Sequence, residues 1–283
     1  MLPLLAAIVS GLCFTGLGIL IKRNGAAHAS PFILPSWLAL LFPVWAATFL
    51  ITHATGTLTF TLTPQALQWA LLWAACTVTT TTILVWLLQS LSLTEVAGYK
   101  KALLTLMASG ADIFLFHTTF PFATVAALAS ILVGSLLLSR ARNSVPNLKQ
   151  AVALVVWCAV ITLQISAYKY GQTFQPSVLS FTVLAQGMST FLYSLLWLMP
   201  AVQQTPFQIS KAWPLLAVAF TGVAIEGFAY AALPLAVVIL ITMSGAALFA
   251  VYDISTRDLP LTRRTSFALA ALALGFMLLF IKN

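Results

Sequence analysis

The sequence predicts an all-α, polytopic membrane protein, and its hydropathy, its scarcity of charge and the spacing of its apolar segments all support this prediction. Of 283 residues, 61% are hydrophobic and only 6% are charged. The mean hydropathy is +1.04. Because about a quarter of the residues of a soluble domain are charged, a chain of this composition must lie largely in lipid.

Ten apolar segments follow one another along the chain, and each is close to the roughly 20 residues that a bilayer core requires. No connection between them is long enough for a soluble domain. The sequence therefore predicts ten transmembrane helices. They are expected at residues 2–21, 32–52, 65–90, 95–117, 120–139, 150–169, 177–199, 213–232, 234–253 and 264–281.

Spans four and nine contain a short internal repeat. Residues 109–114 and 244–249 both have the form S-G-A-x-[I/L]-F, and both spans follow the preceding one almost without a loop. Five spans per repeat is an odd number, so the two repeats would enter the membrane in opposite directions. We therefore expect two inverted five-helix repeats, residues 1–143 and 144–283, within one membrane domain.

The basic residues and the cysteines indicate no nucleic acid, cofactor or metal. The formal net charge is +8, but the Lys and Arg residues lie mostly in short connections, where they orient a membrane protein. Cys13, Cys76 and Cys158 stand alone in apolar segments. Their spacing predicts neither a disulfide framework nor a metal site.

Span four is the segment in which ionisable residues are most numerous. Such residues are costly at membrane depth and usually face a protein interior or a wet cavity. Small and polar residues of this span share one helical face, and they are Thr94, Gly98, Lys101, Thr105, Ala108 and Asp112. This stripe predicts the wall of a pathway. Lys100 lies about 100° off the stripe, where its side chain could snorkel to the interface or reach round into the cavity.

Two further spans place polar residues near the bilayer centre. Glu226 lies near the middle of span eight and shares its helical face with Tyr230. An intramembrane acid is a candidate proton carrier, cation ligand or partner of a lysine, with a structural hydrogen bond as the alternative. In span seven, hydrogen-bonding residues recur at helical spacing, namely Thr182, Gln186, Ser189 and Tyr193. These side chains could contact a polar ligand or join helices.

Several stretches of the chain together resemble a known family. Residues 86–116, 123–139 and 228–253, with the abrupt junctions between spans three and four and between spans eight and nine, are similar to the drug/metabolite transporter superfamily of the EamA type. The resemblance covers the whole chain. It implies a transporter that alternates access around a central cavity, which spans four and nine help to line.

A narrower resemblance concerns the fourth span. Lys101 and Thr105, with Tyr99 just upstream, are similar to a lysine and a threonine four residues later in many nucleotide-sugar transporters, which share a fold with phosphate translocators. The resemblance implies that Lys101 contacts an anionic group of the ligand. The alternative is that Lys101 pairs with an acidic neighbour and only joins helices. We expect Lys101→Ala to weaken ligand binding more than Lys100→Ala.

Together, the residues and the resemblance predict a secondary transporter that moves a small organic solute, favoured to be an anionic or zwitterionic metabolite, by alternating access. Glu226 is the candidate for coupling to protons or to a counter-substrate. The candidate substrate-binding residues are Lys101, Thr105, Tyr99, Lys100, Gln186 and Tyr230.

Two alternative functions remain open, a flippase for an anionic lipid-linked substrate and an intramembrane enzyme. We expect no enzyme, because the chain contains no H-E-x-x-H, G-x-S-x-G or Gly-rich phosphate loop. The expected protein is a multi-pass component of the cell (inner) membrane, as a monomer or a homodimer, with a small-molecule substrate and the lipid bilayer as its partners.

The basic residues of the connections also predict an orientation. The connections after spans one, five, seven and nine hold nine Lys or Arg residues, whereas Lys169 and Lys282 are the two on the opposite side. The positive-inside rule then puts the odd-numbered connections in the cytoplasm and both termini outside. The family resemblance implies the reverse orientation, and we follow the charge count.

Overall fold

The part of the chain that the structure describes is helical throughout its regular elements. A computed structural model describes residues 2–23, 31–139, 146–203, 209–242, 245–256 and 259–279. No strand occurs within these ranges. The predicted all-α class is therefore confirmed for the described residues.

Thirteen α-helices follow one another within the described ranges. They are α1 (Leu2–Arg23), α2 (Ile33–Leu38), α3 (Phe42–Ala54), α4 (Pro64–Leu88), α5 (Leu93–Phe116), α6 (Phe122–Ser139), α7 (Leu148–Gln172), α8 (Val178–Leu195), α9 (Pro200–Gln203), α10 (Ile209–Ala232), α11 (Leu235–Thr242), α12 (Gly245–Ser255) and α13 (Arg263–Leu278). A 3₁₀ turn joins α2 to α3, so these two helices together occupy the predicted span two. Helices α11 and α12 occupy the predicted span nine.

Eight stretches of the described chain are long and apolar enough to cross a membrane. They correspond to α1, α2 with α3, α4, α6, α7, α8, α10 and the stretch Leu235–Ser255. Of the two other predicted spans, α5 has 24 residues but contains four Asp, Glu or Lys residues, and α13 has 16 residues. The structure therefore establishes a multi-pass membrane protein, whereas the count of ten spans and the inverted repeat stay predictions.

The abrupt junction between α4 and α5 has a local cause. Ser92 and Glu95 form a capping box, in which the Glu95 N–H donates to Ser92 Oγ at 3.3 Å and Glu95 Oε2 accepts from the Ser92 N–H at 2.8 Å. Both backbone groups would otherwise lack an intrahelical partner. The pattern Ser-x-x-Glu therefore starts α5 only a few residues after α4 ends at Leu88.

Close packing against α6 determines which face of α5 is buried in the helix bundle. A Cβ at Gly98 would lie only 3.0 Å from the carbonyl oxygen of Ser135 on α6, and one at Gly134 would lie 2.9 Å from the carbonyl oxygen of Ala268 on α13. Small residues permit such approaches between helices in lipid. The Gly98 face of α5 therefore packs directly onto α6, and α6 packs onto α13.

Two aspartates link α5 to the α11 and α12 stretch at opposite ends. Asp112, near the end of α5, accepts hydrogen bonds from the first N–H groups of α11. Asp253, near the end of α12, accepts from both the N–H and the hydroxyl of Thr94 at the start of α5. Each aspartate is fully buried. Asp112 thus belongs to a helix-to-helix contact and not to the wall of a pathway.

Candidate functional site

A cavity of about 230 Å³ lies among helices from both halves of the chain. Its described lining residues come from α1 to α5 in the first half, and from α7, α8, α10 and α11 in the second. None of them comes from α6 or α13, which pack against each other outside the cavity. The two halves therefore meet at this cavity, as a central binding site would require.

One side of the cavity is apolar. Helix α1, the α2 and α3 pair and the first part of α10 contribute Phe14, Leu17, Ile21, Leu38, Leu41, Trp45, Ala219, Phe220 and Val223. The rings of Trp45 and Phe220 lie 4.7 Å apart between centroids, in a tilted arrangement. This aromatic pair, which joins α3 to α10, gives the apolar side a rigid surface.

The side formed by α4, α7 and α8 is rich in hydrogen-bonding groups, namely Thr77, Thr80, Thr81, Gln164, Gln186, Thr190 and Tyr193. Thr81 donates to the Thr77 carbonyl at 2.8 Å and lies 2.8 Å from the Tyr193 hydroxyl, while Gln164 Nε2 donates to Thr77 Oγ1 at 2.9 Å. These bonds connect three helices. They orient the polar side chains without a ligand.

Gln186 is the exception on this polar side, because its amide nitrogen is unsatisfied. The side chain is 6% exposed, and its Oε1 accepts from Ser189 Oγ at 3.3 Å. Its Nε2 has no hydrogen-bond partner among the described residues. A buried donor without a partner costs about 1–3 kcal/mol. Gln186 lines the cavity but this nitrogen is itself shielded from it, so a rotation of the amide would bring it to a hydrogen-bond acceptor on a bound solute and remove that cost.

Lys100 lines the cavity and lies against an aromatic face. Its Nζ is 4.8 Å from the centroid of the Trp157 ring, within the range of a cation–π interaction. The Trp157 ring is held in place because Nε1 donates to the Thr80 carbonyl at 2.9 Å. Trp157 therefore positions the ammonium group of Lys100 at the cavity.

Glu226 is the acidic residue of the cavity lining, and a tyrosine holds it. The Tyr230 hydroxyl donates to Glu226 Oε1 at 2.9 Å. Lys100 and Glu226 attract each other electrostatically. Lys100 contacts the Trp157 ring, and Glu226 accepts a hydrogen bond from Tyr230. No direct ion pair joins these two described side chains, Lys100 and Glu226. The cavity therefore offers a cation and an anion to a solute.

The structure places the predicted site residues on the stripe of span four away from the lining of this cavity. Lys101 and Thr105 are 1% and 2% exposed and lie outside the cavity lining. The physical reason is that they share the face of Gly98, which packs against α6. Tyr99 is half-buried against the hydrophobic core and also lies outside the lining. The cavity wall instead receives Lys100, one position along the helix.

Five of the residues that the sequence singled out line the cavity together, and they are Lys100, Gln186, Tyr193, Glu226 and Tyr230. Sequence reasoning missed Gln164. A signal existed, because Gln164 follows Trp157 by seven residues and therefore lies on the same face of α7. A glutamine in the interior of an apolar span, on the same helical face as a tryptophan, is the pattern that indicates it.

The described residues hold no cluster of three or more His, Cys, Asp or Glu side chains arranged for a metal ion. The groups that the cavity does present are an ammonium, a carboxylate, an unsatisfied amide donor and several aromatic faces. This set is suited to binding a small charged solute by contact and hydrogen bonding.

The fold is similar to that of a protein known from its crystal structure. The two agree with a TM-score of 0.72, at 16% sequence identity, over 98% of this chain and 97% of that chain. In all, 28 chains of solved structures match. No protein-family model and no curated protein matches the sequence. At this identity the likeness establishes the architecture from end to end, and the function must be inferred from the site.

Proposed function

We propose that this chain is a secondary membrane transporter that moves a small organic solute with an anionic or zwitterionic group by alternating access. The observation that supports this most is the cavity between the two halves, faced by both Lys100 and Glu226. Ionisable residues inside a membrane are costly and usually mark a substrate or ion pathway. Their convergence on one cavity favours such a pathway over separate structural roles.

The pairing of helices supports an inverted repeat, with α1 equivalent to α7 and α4 equivalent to α10. Helix α1 packs against α10, and its counterpart α7 packs against α4. The aspartate links agree, since Asp253 follows Asp112 by 141 residues and Leu235 follows Thr94 by the same 141. The S-G-A pattern implies a different spacing, and its Ser244 lies outside the described residues. The halves 1–143 and 144–283 fit this proposal.

The size of the cavity favours a small metabolite over a lipid-linked substrate. Its volume of about 230 Å³ is below the range of about 300–1,000 Å³ that is usual for drug-sized ligands. A transporter uses Lys100, Gln186 and Tyr230 for binding and Glu226 for coupling.

Membership in the drug/metabolite transporter superfamily, of the EamA type, is part of this proposal. The sequence resemblance and the cavity between two halves both support it. The narrower likeness to nucleotide-sugar carriers depends on Lys101 and Thr105, and their positions outside the cavity lining do not favour it. We place the protein in the cell (inner) membrane, with protons or a counter-substrate as the source of any uphill transport.

Reconstitution tests the proposed function. Purified protein in proteoliposomes should exchange at least one labelled solute from a panel of amino acids, small carboxylates, nucleotides and sugar phosphates, above the rate of protein-free liposomes. The variant Lys100→Ala, in the same membranes and at the same protein content, should lower that rate. Exchange of neutral or cationic solutes only, or no exchange of any solute, would contradict the proposal.

A further inference from the structure

The two sides of the cavity differ far more in polarity than an inverted repeat requires. Under the proposed equivalence, α1 corresponds to α7, the α2 and α3 pair to α8, and α10 to α4. The first group contributes only apolar side chains up to Val223, and beyond it Glu226 and Tyr230. The second group contributes four threonines, two glutamines and a tyrosine beside apolar residues, which are Trp73, Leu84, Trp157, Ile161 and Ile165. Equivalent helices have therefore diverged in chemistry across one small space.

We propose that the cavity selects a small amphipathic solute and holds it in one orientation, with its charged, hydrogen-bonding end toward α4, α7 and α8 and its apolar end toward α1, α3 and α10. This inference rests on the proposed transport function, and it narrows the class of substrate. The polar end binds between Lys100 and Gln186. The apolar end contacts the Trp45 and Phe220 pair.

Two donors on the polar side, the Lys100 ammonium and the Gln186 amide nitrogen, are not used in hydrogen bonds within the described part of the chain. The hydroxyls of Thr77 and Thr81 already donate to backbone carbonyls, and Gln164 Nε2 already donates to Thr77. The ammonium of Lys100 faces the cavity from the Trp157 ring, and Gln186 Nε2 has no partner within the described part of the chain. Two donors beside one cavity are matched by a group with acceptor oxygens, such as a carboxylate.

The apolar side excludes a solute that is polar all round. A hydroxyl buried against Leu17, Trp45 or Val223 would lose its hydrogen bonds to water and gain none in return. Polyhydroxylated solutes are therefore disfavoured, although their anionic groups would suit Lys100. An apolar or aromatic body would instead gain contact with the Trp45 and Phe220 rings, which lie 4.7 Å apart between centroids.

Glu226 lies where the two sides meet. It follows Val223 by three residues, so it is one helical turn further along α10 on the same face. Its carboxylate already accepts from Tyr230 at 2.9 Å, and a second lone pair remains for a donor. A solute with an ammonium group beside its carboxylate can therefore contact Glu226 and Lys100 at once.

Matched probes test the class of solute on the full-length chain in detergent. Two pairs share a charged head and differ in the body: 3-phenylpropanoate with gluconate, and phenylalanine with glutamine. Thermal unfolding at increasing probe concentration measures each affinity. We expect the apolar-bodied member of at least one pair to bind at least tenfold more tightly than its polar partner. Equal or tighter binding of the polar-bodied members, or no binding of any probe at millimolar concentration, overturns the proposal.

Two near-isosteric variants then test the orientation. Val223→Thr adds a hydroxyl to the apolar side, and Gln186→Met removes the amide from the polar side. Val223→Thr should reduce the preference for the apolar-bodied probe over its polar partner several-fold. It should leave unchanged the dependence on the carboxylate, which is the ratio of the affinities for 3-phenylpropanoate and 3-phenylpropanol. Gln186→Met should reduce the dependence on the carboxylate and leave the preference for the apolar body unchanged. If both variants change the two quantities alike, the solute is not held in a single orientation and the proposal is overturned. Thermal unfolding without probe confirms that each variant is folded.

Uptake by proteoliposomes separates this inference from the proposed function. If gluconate or glutamine is transported and the apolar-bodied probes are not, transport stands and the amphipathic class is wrong. If the apolar-bodied probes bind with the expected preference but are never transported, the binding inference stands and the transport function is wrong.

Discussion

The carboxylate of Asp112 caps the amino terminus of the helix that begins at Leu235. Its two oxygens accept the N–H groups of Leu235 at 3.0 Å and Ala236 at 2.7 Å, and Lys169 Nζ lies 4.0 Å from Oδ1. The first N–H groups of a helix lack intrahelical partners, and the helix dipole favours negative charge there. Asp112, which lies 123 positions before Leu235 in the sequence, thus accepts the hydrogen bonds of the first two N–H groups of α11.

Replacing Asp112 should therefore destabilise the fold. Asp112→Ala leaves two buried N–H groups and Lys169 without their partner, and loss of a helix cap costs about 0.5–2 kcal/mol. Asp112→Asn keeps a capping oxygen and should cost less. Thermal unfolding of the purified variants measures both. Equal stability of wild type and Asp112→Ala would contradict the capping role.

Lys100 and Lys101 should differ in their effect on solute binding, in the order opposite to that expected from sequence alone. Lys100 lines the cavity, whereas Lys101 lies outside its lining. Loss of a charge-assisted hydrogen bond costs about 1.5–3 kcal/mol, which lowers affinity about ten- to a hundredfold. We expect this for Lys100→Ala, measured by thermal unfolding at increasing concentration of the tightest-binding anionic or zwitterionic solute. Lys101→Ala is the matched control, and a larger loss of affinity there would favour the order that the sequence predicted.

Trp157 should influence binding through Lys100. Trp157→Phe keeps a ring beside the ammonium group but removes the bond to the Thr80 carbonyl, whereas Trp157→Leu removes the ring. A cation–π interaction contributes about 0.5–2 kcal/mol, or about two- to thirtyfold in affinity. The Leu variant should therefore bind an anionic solute less tightly than the Phe variant. Identical affinities would mean that Trp157 only fills space.

Glu226 should couple transport to protons. Glu226→Gln can accept from Tyr230 as the wild type does, but it cannot ionise. In proteoliposomes the variant should retain solute exchange and lose uptake driven by an imposed pH gradient. Tyr230→Phe, which leaves the carboxylate of Glu226 in place, is the control and should retain uptake driven by the pH gradient. Full gradient-driven uptake by Glu226→Gln would assign Glu226 to packing or recognition alone.

The orientation can be decided with two exposed positions on opposite faces. The three natural cysteines are first changed to alanine. A single cysteine then replaces either Lys149, at the start of α7, or Thr57, in the connection after α3. Several residues of the charge count, among them Arg140, Arg142 and Arg257, lie outside the described residues, so labelling is the direct test. An impermeant thiol reagent added to intact cells should label Thr57→Cys and spare Lys149→Cys. The reverse pattern would support the family orientation.

The membrane class, the all-α fold and most helix limits followed from the sequence alone. Composition determines whether a chain can be soluble, and a bilayer requires helices of a known length. The predicted span at 65–90 corresponds to Pro64–Leu88, and that at 150–169 to Leu148–Gln172. Local features such as the capping box of Ser92 and Glu95 also depend on residues only a few positions apart, so the sequence determines them.

The tertiary structure alone decided which face of α5 meets the cavity. Helical periodicity correctly grouped Gly98, Lys101 and Thr105 on one face, but it contains no information on which neighbour that face contacts. In a soluble protein the polar face points to water, whereas here lipid and protein core are both apolar, and small residues serve for packing. The face that Gly98 shares with Lys101 therefore lies toward α6, and the meeting of Lys100 with Trp157 depended on how helices distant in sequence pack.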